Sequence, residues 1–89
     1  MAFTTAKSGR EEALIEAARD HARALRAEPG CVAAYVLEER GTPDQVALSI
    51  FESEEAFRKA AEATRPVIAR HRIGELLEGP PRFRYFESR

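Results

Sequence analysis

The 89-residue sequence has a single cysteine, only two histidines, no long apolar run and no excess of charge of either sign. With Cys31 alone, an intramolecular disulfide is impossible. His21 and His71 lie far apart and far from Cys31, so no cluster has metal-ligand spacing and no metal is expected. Fourteen basic and fifteen acidic residues leave a net charge of −1 and are mixed along the chain. No basic stripe marks a nucleic-acid site. Arg82, Arg84 and Arg89 gather near the end of the sequence, but Glu87 lies among them, and the group reads as a solvated strand or end. Charges break every apolar segment well short of the ~20 residues that a membrane helix requires. With no signal peptide either, these absences lead to a cytoplasmic location with no membrane and no nucleic-acid partner.

What remains is the composition of an ordinary globular protein, 44% hydrophobic and 33% charged. Residues 1–89 are expected to form one domain, because a second would leave neither half a usable core. A chain of this size buries only roughly 60–65% of its unfolded surface and gains much from a partner subunit.

Along the chain, Ala2 to Lys7 carries a weak strand pattern. Ser8-Gly9-Arg10-Glu11 fits a capping box, with the Ser hydroxyl on the third amide and Glu11 reaching back. Glu11 to Ala27 is rich in helix formers, and Leu14, Ala18, His21, Ala22 and Leu25 recur at helical spacing. Glu12, Glu16, Arg19, Asp20, Arg23 and Arg26 form the outer, charged face. Pro29-Gly30 stops the helix.

Cys31 to Glu39 then reads as a strand, Arg40 to Asp44 as a turn, and Gln45 to Phe51 as the returning strand of an antiparallel hairpin. Ser53 caps a second helix, with Glu54 and Glu55 in its first turn. Its stripe includes Ala56, Phe57, Ala60 and Ala61. Pro66 predicts a kink or restart near Thr64, after which Val67, Ile68, Ile73, Leu76 and Leu77 continue a helical segment as far as Gly79-Pro80-Pro81. Arg82 to Glu87 reads as a last strand.

The order β-α-β-β-α-β is that of an α+β, ferredoxin-like sandwich, a four-stranded antiparallel sheet with both helices on one face. The hairpin strands are apolar on both sides. Cys31, Ala33, Tyr35 and Leu37 would point one way, Val32, Ala34 and Val36 the other. No element is left to cover the second face, so a homodimer packed sheet to sheet is expected.

Three segments in this order give the sequence a family likeness. They are Lys7-Ser8-Gly9-Arg10-Glu11-Glu12, Glu28-Pro29-Gly30-Cys31-Val32, and Leu48 to Phe57, where an aromatic ends a strand and Ser53-Glu54-Glu55-Ala56-Phe57 starts a helix. From about Thr5 to Glu87 the chain resembles the antibiotic biosynthesis monooxygenase domain, a branch of the dimeric α+β barrel proteins. The resemblance implies a homodimer whose sheets form a barrel-like interior, with a ligand cavity between sheet and helices in each subunit. It also implies oxygenation of aromatic polyketides or quinols with no metal or flavin cofactor, because an electron-rich phenolate can reduce oxygen directly once bound, deprotonated and shielded from water. Haem-degrading relatives depend on Asn, Trp and His, and this chain has neither Asn nor Trp. Where quinol-oxidising relatives often carry a His, this sequence has Lys59-Ala60-Ala61, so no catalytic residue transfers directly.

His71, between Arg70 and Arg72, is the candidate general base. The flanking arginines favour its neutral form, and the alternative is a helix-end His with no role. His21, on the apolar stripe, reads as a half-buried His satisfied by a local partner. Tyr35, Phe51, Phe83 and Tyr85 are candidates to line an apolar substrate cavity, against the plainer role of core or interface aromatics. Arg82 and Arg84 suit a carboxylate or phenolate as well as an exposed strand edge. Cys31 reads as a small buried hydrophobe. Two functions therefore stand side by side. One is a cofactor-independent monooxygenase oxidising a small aromatic, and the other is a non-catalytic dimeric module of the same fold that binds a small apolar ligand or serves a structural role.

Overall fold

The computed structural model describes residues 1–87, and Arg89 of the basic tail falls outside them. The elements are β1 (Ala2–Thr5), α1 (Glu11–Arg26), β2 (Cys31–Glu38), β3 (Asp44–Phe51), α2 (Glu54–Ala63), α3 (Arg65–His71) and β4 (Arg82–Phe83), with a 3-10 turn at Ile73–Glu75. The sheet order is β2-β3-β1-β4 and every pairing is antiparallel. This is the expected ferredoxin-like arrangement.

Local chemistry accounts for most of the boundaries. Ser53 Oγ accepts from the amide of Ala56 at 3.0 Å, so the expected cap opens α2. Pro66 breaks the second helical region at Thr64 and sits in the first turn of α3, where a missing N–H costs little. Gly30 takes φ +83 between α1 and β2 and lies directly against Ala56 of α2.

Other boundaries differ from expectation. Ser8 does not cap α1. The amide of Arg10 bonds back to Lys7 O at 2.9 Å, Gly9 turns at φ +82, and the helix begins only at Glu11. Nor does Glu11 reach back to Ser8, since its carboxylate accepts from the Gly9 amide at 2.8 Å instead. The segment after Pro66 does not run helically to Gly79. Arg72 adopts the left-handed conformation at φ 50 and ends α3, and Leu77 instead bridges to Ala6. β4 covers Arg82–Phe83 and not the six residues expected, because only Ala2 and Phe3 of β1 pair with it.

The core lies between the helices and one sheet face. One cluster joins Ala6, Leu14, Ala17, Leu76 and Leu77. A second joins Ala22, Leu25, Ala34 and Ala60, with Cys31, Val36 and Phe51 packed against it. A register shift between Cys31 and Ala33 corrects the simple alternation of β2. The bulge turns Cys31 to the helix side with Ala34 and Val36.

Directly opposed residues share a face. Ala33 faces Ile50, Tyr35 faces Leu48, Leu37 faces Val46, and Val46 faces Phe3. This second face carries no covering element, and Tyr35, Leu37 and Ile50 on it are 56%, 50% and 46% exposed.

Candidate functional site

Asp20 sits near the middle of α1, on the side that α3 crosses. The break at Thr64 redirects the chain so that His71, at the end of α3, reaches it. His71 Nε2 lies 2.8 Å from Asp20 Oδ2, across fifty-one residues of sequence. The other carboxylate oxygen accepts from Arg23 Nη1 at 2.8 Å, and Arg70 Nη2 stands 4.0 Å from Oδ2. The hydrogen bond from His71 holds the Asp20 carboxyl below its ordinary value. Arg23 adds to this and partial burial opposes it. An anionic Asp20 accepts the Nε2 proton, so that in the neutral form of the ring the lone pair is on Nδ1. The pair is a carboxylate-oriented imidazole, an arrangement that fixes tautomer and ring direction for proton transfer. The His71 side chain is 21% exposed, so the ring is neither sealed nor free in solvent.

His21 is partnered differently. Its Nε2 lies 3.1 Å from Thr64 Oγ1, and that hydroxyl donates to Ala60 O at 2.8 Å. One hydroxyl proton cannot serve both bonds, so His21 donates through Nε2. Burial pushes its pKa down from 6.5. It packs as the half-buried, locally satisfied His that its place on the stripe suggested.

The aromatic candidates fall in separate places. Phe51 meets Phe57 edge to face at 5.5 Å between ring centres, and Phe57 meets Tyr85 at 6.1 Å. Phe51 and Tyr85 are therefore brought together, through a residue of α2 that had been placed only on its apolar stripe. Phe83 lies on β4 and is exposed. Tyr35 stands at the opposite edge of the sheet, in a groove of about 260 Å³ with Arg19, Ala22, Arg23, Arg26 and Val36. A second groove, about 460 Å³, runs along α2 past Glu55, Arg58, Lys59, Glu62 and Ala63. His71 lines neither, and the structure does not bring it to the aromatic row. Among the described residues no group of three or more His, Cys, Asp or Glu is placed to hold a metal ion. Nor is any helix of theirs long and apolar enough to cross a membrane.

Asp20 escaped sequence reasoning because nothing local ties it to His71. Arg19, Arg23 and Arg26 had been placed on a charged outer face, and their spacing was the available sign that one side of α1 concentrates guanidinium groups.

Comparison with known proteins fits this architecture. The model of the antibiotic biosynthesis monooxygenase family matches residues 1–65, from β1 to the start of α3, and the chain belongs to that family. A comparison with curated proteins finds no match. Among solved structures, Rv0793 from Mycobacterium tuberculosis is similar with a TM-score of 0.80 and 21% identity, over 98% of this chain and 92% of the other. A candidate antibiotic biosynthesis monooxygenase from Nitrosomonas europaea superposes with a TM-score of 0.78 and 18% identity, over 91% and 86%. SO0527 from Shewanella oneidensis gives 0.77 and 25% identity, over 91% and 82%. These likenesses extend the fold beyond residue 65, through the segment that carries His71.

Proposed function

We propose that this chain is a cytoplasmic, homodimeric monooxygenase that oxidises a small aromatic substrate, of quinol or polyketide type, without a bound cofactor. Family membership across residues 1–65 is the observation that carries the reading. The His71–Asp20 pair supplies the base that it needs. Nδ1 of His71 takes the acidic proton of a phenol or of a ring CH2 beside a carbonyl, and the resulting anion gives one electron to O2. Recombination forms a hydroperoxide, which loses water. One oxygen atom stays in the product as a carbonyl, the other leaves as H2O, and the substrate supplies all the electrons, so no external reductant enters.

The bare sheet face supports the homodimer. Phe3, Tyr35, Leu37, Val46, Leu48 and Ile50 make one apolar surface, larger than a soluble monomer of this size usually leaves open. A second copy covers it economically. Of the candidate aromatics, Tyr35 is the one that such a partner would cover, whereas Phe51, Phe83 and Tyr85 belong to the helix side of the sheet, where an apolar ligand would meet them.

A second reading, a non-catalytic small-ligand-binding module, is favoured by one observation: His71 lines neither groove. In that case His71–Asp20 only packs α3 on α1. Oxygen uptake by the purified protein, with hydroquinones and anthrone-like phenols and with His71→Ala alongside, separates the two. Uptake that falls at least ~100-fold in the variant supports the oxygenase with His71 as base. Equal uptake in both proteins removes His71 from the chemistry, and none above the buffer rate favours the module.

A further inference from the structure

We propose that the groove between α1 and the outer edge of β2 binds a small aromatic carboxylate, gripped by Arg19, Arg23 and Arg26 with its ring over Ala22 and Val36. This inference stands apart from the oxygenase reading and needs no catalysis.

Arg19, Arg23 and Arg26 fall on one side of α1, four and three residues apart, and face the strand at the end of the sheet order. Arg26 is fixed there, since its Nη1 donates to Ala34 O at 2.7 Å, on the side of β2 that has no neighbouring strand. A guanidinium has five N–H donors, so most of the Arg26 fork remains for a ligand. Arg23 is steadied by Asp20 at 2.8 Å. Arg19 has no ion pair among the described residues. The carboxylate that pairs with Arg23, Asp20, is also shared with His71 and Arg70. Of the three guanidinium groups only Arg23 is ion-paired among the described residues, and it holds only a share of Asp20.

The groove is not only basic. Ala22 and Val36 form an apolar floor, and the edge-strand residue Tyr35 completes the lining. Its volume of about 260 Å³ lies just under the ~300 Å³ where drug-sized ligand sites begin. A single substituted ring suits that space, and a dinucleotide or lipid does not. The planar fork of Arg matches a carboxylate with two parallel hydrogen bonds. The apolar floor then distinguishes an aryl carboxylate from an inorganic anion.

The test is titration of the isotope-labelled protein with benzoate at low salt, followed by amide shifts in NMR. The expected result is saturable movement confined to residues 19–26 and 34–36, with inorganic phosphate and neutral benzamide each binding at least ~10-fold more weakly. Arg19→Gln should weaken benzoate about 10-fold, the effect of one charge-assisted contact. Because Arg19 is exposed and unpaired, this variant should unfold at the same temperature as wild type. Lys59→Gln, in the other groove, should leave benzoate affinity unchanged. The proposal is overturned by the absence of saturable shifts, by benzamide or phosphate binding as well as benzoate, or by Arg19→Gln binding like wild type.

Discussion

Gly30 joins α1 to β2 and sets how closely α2 can approach the hairpin, so replacing it with alanine tests the packing quantitatively. Two costs arise. At φ +83 a side chain meets its own backbone, worth about 1–2 kcal/mol. The new Cβ would also stand 2.6 Å from Ala56 Cβ, whereas carbon atoms rest at ~3.5–4.0 Å. Helix and turn must separate by about 1 Å, a strain of roughly 1–3 kcal/mol for an overpacked contact. The sum, about 2–5 kcal/mol, is a large share of the ~5–10 kcal/mol that a domain of this size has in total. Gly41, in the hairpin turn, has nearly the same φ of +81 but nothing within 4 Å of its would-be Cβ. Gly41→Ala should therefore lose only the backbone part. Urea unfolding followed by circular dichroism gives both values, and Gly30→Ala/Ala56→Gly completes a cycle whose coupling should be about 1–3 kcal/mol. Equal costs for Gly30→Ala and Gly41→Ala, with no coupling to Ala56, would refute the close approach.

Four further outcomes follow from the same structure. Ser53→Ala should destabilise by about 1 kcal/mol through loss of the bond to the Ala56 amide, read by thermal melts. Asp20 has a folded pKa below its ordinary 3.8, so its contribution is complete above that value and disappears as pH falls through the folded value. Asp20→Asn should accordingly be less stable at neutral pH and show a flatter acid limb in urea titrations between pH 5 and 2. His21 is held neutral by burial, so from about pH 6.5 downward the unfolded chain binds its proton first and stability falls until the folded pKa is reached. NMR should place the His21 midpoint below 6.5 with the proton on Nε2, and His21→Gln should remove that part of the pH dependence. Ile50→Arg puts a charge in the centre of the bare face, and sedimentation should show the proposed dimer converted to monomer.

Where punctuation is local, the sequence is legible. Pro29-Gly30, Ser53 with its two glutamates, and Pro66 each act within a few residues, and each lies at an element boundary. The alternation in β3 likewise separates Ala47 and Ser49 from Leu48 and Ile50. Features set by tertiary contacts are harder to see. Arg72 carries no residue-type reason to turn left-handed, and it ends α3 where Leu76 and Leu77 must swing into the core. The bulge beside Cys31 reverses one side chain with no change in composition. Above all, the candidate base and its carboxylate come from helices that meet only in three dimensions. His71 could be singled out by its chemistry, whereas Asp20 looked like one more charge on a wet face.

The central claim is that O2 itself oxidises a bound aromatic, and product labelling tests it most directly. Metal-stripped, flavin-free protein is incubated with an anthrone-type phenol under 18O2, and the quinone is analysed by mass spectrometry. The account predicts one 18O atom per product molecule, formed far faster than in buffer and slowed in His71→Ala. Product that carries no 18O, or that forms only at the buffer rate, would contradict it.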